Sequence, residues 1–247
     1  HAVDLDRPDE RVPQAVGELT SVLPLDDFEA LERFFVEQGS ELACAIIEPI
    51  PANNGLLTQK PEFLQRLRDL CSTYGALLIF DEVISGFRIA PGGAAEHYGI
   101  TPDLVTYGKI IGGGMPVGCY GGRKDVMGVV APDGPVYQAG TLSGNPVAMA
   151  AGLATLERLT PDLYRELDTT AAAWAAAFAR IPGLRCPRMG SLLWPLFQDG
   201  VRRSDAVQSE SIDQGEPNGR RTPMRLAAPS PIAACGRAKG PEREPNR

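Results

Sequence analysis

The run Ala76-Leu-Leu-Ile-Phe-Asp81-Glu-Val83, followed 28 residues later by the lysine of Gly108-Lys109-Ile-Ile-Gly112-Gly-Gly114, decides how this chain is read. Leu77 to Phe80 are apolar without alternation and too few for a helix, the pattern of a strand buried on both faces. Ligands of parallel α/β sheets gather in the crevice at the carboxyl ends of the strands, so Asp81 is expected to point there. Val83, two residues on, falls on the same side. Lys109 stands between a second expected strand and a glycine run. Its neighbours Ile110 and Ile111 predict partial desolvation, which favours a neutral, nucleophilic amine. Gly112 to Gly114 are expected to let backbone approach a flat ligand closely.

Outward from this stretch, strands and helices alternate. Asp26-Asp27 precede Phe28, Leu31, Phe34 and Phe35 at helical spacing, and Gly39 predicts the stop. Leu42 to Ile47 reads as a buried strand closed by Glu48-Pro49. Pro61 opens a helix with Phe63, Leu64, Leu67 and Leu70 on one face and an end near Gly75. Pro102 to Tyr107 and Val117 to Gly121 predict two more strands. Ser143 or Asn145 should cap a helix from Pro146 that carries Val147, Ala150, Leu153, Ala154 and Leu156 along one face, and another helix should run from Pro161 to about Arg180. This alternation predicts an α/β fold with a mostly parallel sheet.

Composition narrows the chemistry. A net charge of -7 gives no reason to expect nucleic acid or an anionic membrane as partner. His1 and His97 are the only imidazoles, which nearly excludes histidine-based catalysis. Five cysteines without a C-x-x-C spacing read as thiols of a reducing cytoplasmic setting, with neither a disulfide framework nor a metal site. No apolar run reaches membrane-spanning length.

A strand-end carboxylate and a glycine-flanked lysine suit pyridoxal phosphate. The lysine attaches the cofactor as a Schiff base, and the carboxylate keeps the ring nitrogen protonated so that the ring draws electrons. Plainer alternatives stand beside each residue: an aspartate capping the next turn, a solvated loop lysine, a core valine. Four apolar residues before Asp-Glu also match a Walker B strand. That reading needs a Gly-x-x-x-x-Gly-Lys-Ser/Thr loop, whereas the only Gly-Lys here is followed by Ile110. Gly140-Thr141-Leu-Ser143-Gly-Asn145-Pro146 is a helix start that could either bind phosphate or simply cap.

Taken in order, Glu48-Pro49, Asn53, Phe80-Asp81-Glu82-Val83, Gly108-Lys109, Gly118 to Gly122 and Gly140 to Pro146 resemble the class III aminotransferases of the fold-type I pyridoxal phosphate superfamily. Gly108 to Gly118 and Tyr137 to Pro146 are most similar to the glutamate-1-semialdehyde 2,1-aminomutase branch. The resemblance covers roughly residues 1 to 197. It implies that Lys109 is the Schiff-base lysine and proton shuttle, that Asp81 pairs with the pyridine nitrogen, and that Val83 packs on the ring. It implies also that Asn53 lies near the ring 3-hydroxyl, and that Thr141 reaches the cofactor phosphate of a neighbouring subunit in a homodimer with shared sites. Glu48 is expected to shape its turn, and Ala52 departs from the glycine expected before Asn53. The implied reaction is intramolecular amino transfer giving 5-aminolevulinate for tetrapyrrole synthesis. An aminotransferase acting on another amino donor, or a non-catalytic fragment, are the alternatives.

The resemblance further implies a large cofactor domain truncated at both ends. Residues 1 to 183 would be its part, 184 to 200 the start of a small C-terminal domain, and 201 to 247 a disordered or non-native tail. That tail has no Phe, Tyr or Trp and only Val201, Val207, Ile212, Met224, Leu226 and Ile232 as larger aliphatics. So little apolar surface does not offset the entropy of ordering a segment. The segment that grips the cofactor phosphate and the aromatic that stacks on its ring would lie before His1, and the 247-residue chain alone is expected to be poorly soluble and inactive.

Overall fold

The structure is a computed structural model that describes residues 17–53, 55–197 and 232–236. One six-stranded sheet organises it, with helices packed around it. Strands β1 (Thr20–Leu23), β2 (Leu42–Ile47), β3 (Leu77–Asp81) and β4 (Leu104–Gly108) run in one direction. β5 (Gly118–Gly122) runs against β4 at one edge and a sixth strand runs against both its neighbours, so the sheet is mixed, with four of its six strands in one direction as expected. Register is what matters for the site: Ile47 pairs with Phe80, and Asp81 pairs with Thr106. Glu48, Asp81 and Gly108 therefore finish three neighbouring strands on one side of the sheet.

Helices α1 (Phe28–Gln38) and α2 (Pro61–Tyr74) supply most of the core. Asp27 caps α1 by accepting from Ala30 N at 2.9 Å, as its position before the apolar periodicity predicts. Leu31, Phe34 and Phe35 of α1 and Phe63, Leu64, Leu67 and Leu70 of α2 are buried against Leu78 and Phe80 of β3. Each such side chain contributes about 1.5–3 kcal/mol by leaving water. Gly75 ends α2 at φ 74°, a left-handed conformation that glycine adopts without steric cost.

The later helices depart from expectation. Helix α3 (Gly93–Tyr98) is a six-residue turn between β3 and β4, and α4 (Lys124–Met127) is shorter still. Helix α5 (Pro146–Leu156) does not bury its expected apolar face: Val147 and Leu153 are each 60% exposed, while Ala148 and Gly152 are buried. Small residues win that contact because α5 lies almost on the Lys109–Gly112 turn. A Cβ added to Gly152 would sit 2.2 Å from Ile111 O. Helix α6 (Pro161–Phe178) buries only Ala171. Residues 184–197 then form two short antiparallel ladders, β6 (Leu184–Arg185) with β9 (Leu196–Phe197) and β7 (Arg188–Met189) with β8 (Leu192–Leu193).

The disorder expected of residues 201–247 does not extend to Ile232–Gly236. These five residues form β10, antiparallel to both neighbours between β1 and β2. Main-chain pairing explains what side-chain hydropathy does not. A strand in that slot satisfies donors and acceptors on two facing edges, and backbone groups are the same in every sequence. The other residues of that segment, like 1–16 and 198–200, lie outside the described residues. None of the described helices is long and apolar enough to cross a membrane.

Candidate cofactor site

Asp81 closes β3 with its carboxylate half-buried. Its Oδ1 accepts two hydrogen bonds, from Val83 N at 3.0 Å and from Thr106 Oγ1 at 3.1 Å. The turn-capping alternative is thus part of the answer, but it uses one oxygen only. No hydrogen bond from the described residues reaches Oδ2. Glu82, the next residue, faces the other way and is fully buried. Its carboxylate accepts from Ala94 N at 2.6 Å, Ala95 N at 3.0 Å and Ser85 Oγ at 3.1 Å, tying the strand end to the start of α3. Burial pushes the Glu82 carboxyl up, opposed by these three donors.

Lys109 follows β4 directly and opens a 3-10 turn over Lys109–Gly112. Its φ of 49° is left-handed, a conformation that costs a residue with a Cβ roughly 1–2 kcal/mol and persists only where packing enforces it. The enforcing contacts come from α5 beneath the turn. Its side chain is exposed, which corrects the expectation of desolvation by Ile110 and Ile111: the left-handed backbone turns Lys109 out while both isoleucines stay half-buried. Val83 lies against Gly108, where an added Cβ would stand 3.2 Å from Val83 Cγ1. The turn after β3 and the residue before Lys109 are therefore in contact.

The glycines answer to protein rather than to an open ligand surface. A Cβ on Gly112 would meet Val117 Cγ1 at 2.6 Å, and one on Gly113 would meet Ala151 O at 2.3 Å. Gly114 alone of the three faces open space, at φ 94°.

Glu48 follows β2 directly, as Asp81 follows Phe80 on the adjoining strand. Its backbone carbonyl accepts from Gln59 Nε2 at 2.7 Å, which ties the residue after β2 to the segment leading into α2. Burial first, and the Asp81 carboxylate second, push the Glu48 carboxyl up; Lys109 and the Ala52 N–H pull the other way. Both groups bear on Glu48 because β2, β3 and β4 adjoin in the sheet and end on the same side. Ala52 is buried and its carbonyl accepts from Gly55 N and Leu56 N, an ordinary turn that tolerates alanine. Asn53 is exposed on that turn.

Thr141 stands apart. It lies in the exposed loop before α5, and no hydrogen bond of the described residues joins it to Asp81, Val83, Asn53 or Lys109. Asn145 is the cap of α5, accepting from Val147 N at 3.0 Å and Ala148 N at 3.2 Å. Those donors are spent within the chain, which favours the capping reading of Gly140 to Pro146 over phosphate binding by this helix start.

Comparison with known proteins follows the same lines. The Aminotransferase class-III family profile matches residues 7–180.

This chain belongs to the class-III aminotransferase family.

Members of that family depend on pyridoxal phosphate. The chain is 52% identical over 194 residues to a glutamate-1-semialdehyde 2,1-aminomutase of Sulfurihydrogenibium azorense, covering 76% of this chain and 45% of that protein. It is 51% identical over 192 residues to the aminomutase of Anaeromyxobacter dehalogenans, covering 75% and 44%. It spans a little under half the length of these curated relatives. Among solved structures, an omega-transaminase from Sphaerobacter thermophilus superimposes with a TM-score of 0.72 at 38% identity, over 83% of this chain and 48% of that one. A glutamate-1-semialdehyde aminomutase from Pseudomonas aeruginosa PAO1 gives 0.60 at 28%, over 76% and 45%. These class-III relatives support the α/β fold read from the sequence.

Two contributors escaped the sequence reading. Thr106 had no signal beyond its place in an apolar strand, since only register shows it beside Asp81. Glu82 was visible as half of Asp-Glu, but its partners lie twelve and thirteen residues away in a short helix that periodicity does not announce.

Proposed function

We propose that this chain carries the cofactor-holding part of a pyridoxal phosphate enzyme that moves an amino group within glutamate-1-semialdehyde to give 5-aminolevulinate. The observation that supports it most is the pairing of two strand ends: Asp81, whose second carboxylate oxygen accepts from no described residue, and Lys109, exposed on a left-handed backbone at the end of the adjoining strand. A ring that carries both an N–H donor and an aldehyde fits that pair. When bound, pyridoxal phosphate supplies an electron sink for charge developing next to the transferred nitrogen.

The residues would share the work as follows. Asp81 Oδ2 accepts from the ring nitrogen and holds it protonated. Val83 offers an apolar surface beside Gly108 for the ring to rest on. Asn53 approaches the ring hydroxyl from the turn after β2. Lys109 Nζ would hold the cofactor through its aldehyde carbon and, when free, would take and return protons at the reacting carbon. Glu48 stays behind this line and fixes the Asn53 turn. Thr141 serves a second subunit: Tyr137 is 82% exposed and Leu142 61%, an apolar loop suited to a homodimer interface that would bring Thr141 to the partner's site.

A class-III aminotransferase with a separate amino acceptor is the second reading, favoured by the higher TM-score to the omega-transaminase. The curated relatives support the first, at 52% and 51% identity to two aminomutases. The test has two arms. Borohydride reduction should trap pyridoxal phosphate on a full-length enzyme carrying this segment and not on its Lys109→Ala variant; equal trapping would remove Lys109 from its role. A full-length enzyme carrying this segment should turn over glutamate-1-semialdehyde with no keto acid added, and a requirement for one would select the second reading.

A further inference from the structure

We infer that Thr106 is a positioning residue whose hydroxyl sets the direction of the Asp81 carboxylate. The inference rests on the proposed role of Asp81 and names what makes that role possible. Asp81 and Thr106 are register partners on adjacent parallel strands, so both side chains leave the same face of the sheet. Thr106 Oγ1 donates to Asp81 Oδ1 at 3.1 Å, and Val83 N donates to the same oxygen at 3.0 Å.

Two donors on one oxygen do more than stabilise a charge. They restrain both side-chain torsions of Asp81 and leave Oδ2 without a donor among the described residues, an acceptor still to be filled. The backbone donor alone leaves the carboxylate free to swing, because a single hydrogen bond to either oxygen satisfies it equally. The hydroxyl, arriving from a different strand, distinguishes the two oxygens. The backbone beneath is itself pinned: Glu82 N donates to Thr106 O at 3.0 Å, and the buried Glu82 carboxylate anchors the turn to α3. With strand and turn held, the Thr106 hydroxyl is the remaining determinant of where Oδ2 points.

Thr106→Val keeps the shape and β-branching of threonine in a strand and removes only the donor, so the sheet is retained. Three-bond couplings from Asp81 Cγ to its backbone nitrogen and carbonyl carbon, measured on the cofactor-free chain, report its side-chain torsion directly. One rotamer is expected in wild type, an average over rotamers in Thr106→Val, and one rotamer again in Thr106→Ser. Pyridoxal phosphate capture, followed by absorbance, should weaken about tenfold in Thr106→Val and recover in Thr106→Ser. Unchanged couplings in Thr106→Val, or failure of Thr106→Ser to restore them, overturn the inference. Asp81→Asn measured alongside separates the failures. Weakened capture there with unchanged couplings in Thr106→Val overturns the positioning role alone. Unchanged capture in Asp81→Asn overturns the reading of Asp81 on which it stands.

Discussion

Two aspartates sit at opposite ends of the same strands and are treated in opposite ways. Asp103 precedes β4, where the parallel strands begin, and is 5% exposed. Its Oδ2 accepts from Leu78 N at 2.8 Å and pairs with Arg68 Nη1 at 2.6 Å, while its Oδ1 pairs with Arg123 Nη1 at 2.7 Å. Its backbone closes the same knot, donating to Leu78 O at 2.8 Å and accepting from Arg123 N at 2.9 Å. Asp81, where the strands end, has no ion pair among the described residues, and none of them donates to its second oxygen. Burial alone pushes the Asp103 carboxyl up, but the Leu78 N–H, Arg123 and Arg68 outweigh it and hold the group below the usual carboxylate range. One end of the sheet spends its polar groups on itself. The other keeps an acceptor and an amine in reserve, the arrangement a binding site needs.

The largest effect should come from the open end. Asp81→Asn in a full-length enzyme carrying this segment should lower turnover by several kcal/mol of transition-state stabilisation, comparable to the ~3–5 kcal/mol lost on breaking a buried pair. The same variant should shift unfolding by less than about 1 kcal/mol, because its amide oxygen still accepts from Val83 N and Thr106 Oγ1. Turnover within threefold of wild type, or a large stability loss, would break the contrast.

Asp103→Ala reverses the pattern. It strands Arg68, whose side chain is only 16% exposed, beside a buried backbone donor, and should cost roughly 3–5 kcal/mol of stability in urea unfolding. Cofactor capture by the fraction that remains folded should match wild type. If the variant unfolded as wild type does, the ion pairs would be ornaments of a strand end already held by backbone bonds.

Acid sharpens the comparison further. A carboxyl held below its unfolded value stabilises the fold above that value, near pH 4, and loses the contribution as pH falls through the lower folded value. Wild-type stability should therefore drop steeply below about pH 4, and Asp103→Asn should flatten that drop. An unchanged acid limb would assign the loss to other carboxylates.

The smallest effect is a matter of rate. Cys71, fully buried on the inner face of α2, has its thiol pushed up to about 12, chiefly by burial. It should resist thiol reagents at neutral pH, while exposed Cys119 reacts at once; mass spectrometry of briefly alkylated chain distinguishes the two. Early labelling of Cys71 would show that the helix opens readily.

What was legible in the sequence was what near neighbours decide. The apolar run before Asp81, the helical spacing of Phe63, Leu64, Leu67 and Leu70, and the cap at Asp27 all depend on residues within a few positions of one another. Lys109 and Asp81 could be proposed from the sequence because chemistry restricts which side chains can serve a ring and an aldehyde, and their order resembles a family pattern. Tertiary structure decided everything that depends on register and approach. Thr106 meets Asp81 because β4 pairs with β3 at one offset rather than another, and a shift of one residue would send its hydroxyl to the other face. Gly112 and Gly113 are glycine because Val117 and the Ala151 carbonyl arrive within van der Waals distance, not because a ligand does. Lys109 is exposed because its left-handed backbone overrides the desolvation that two flanking isoleucines suggest. Ile232–Gly236 enters the sheet through backbone groups common to all sequences, which hydropathy does not register. Side-chain identity fixes local preference, but the distance between chain segments is set only when the whole sheet closes.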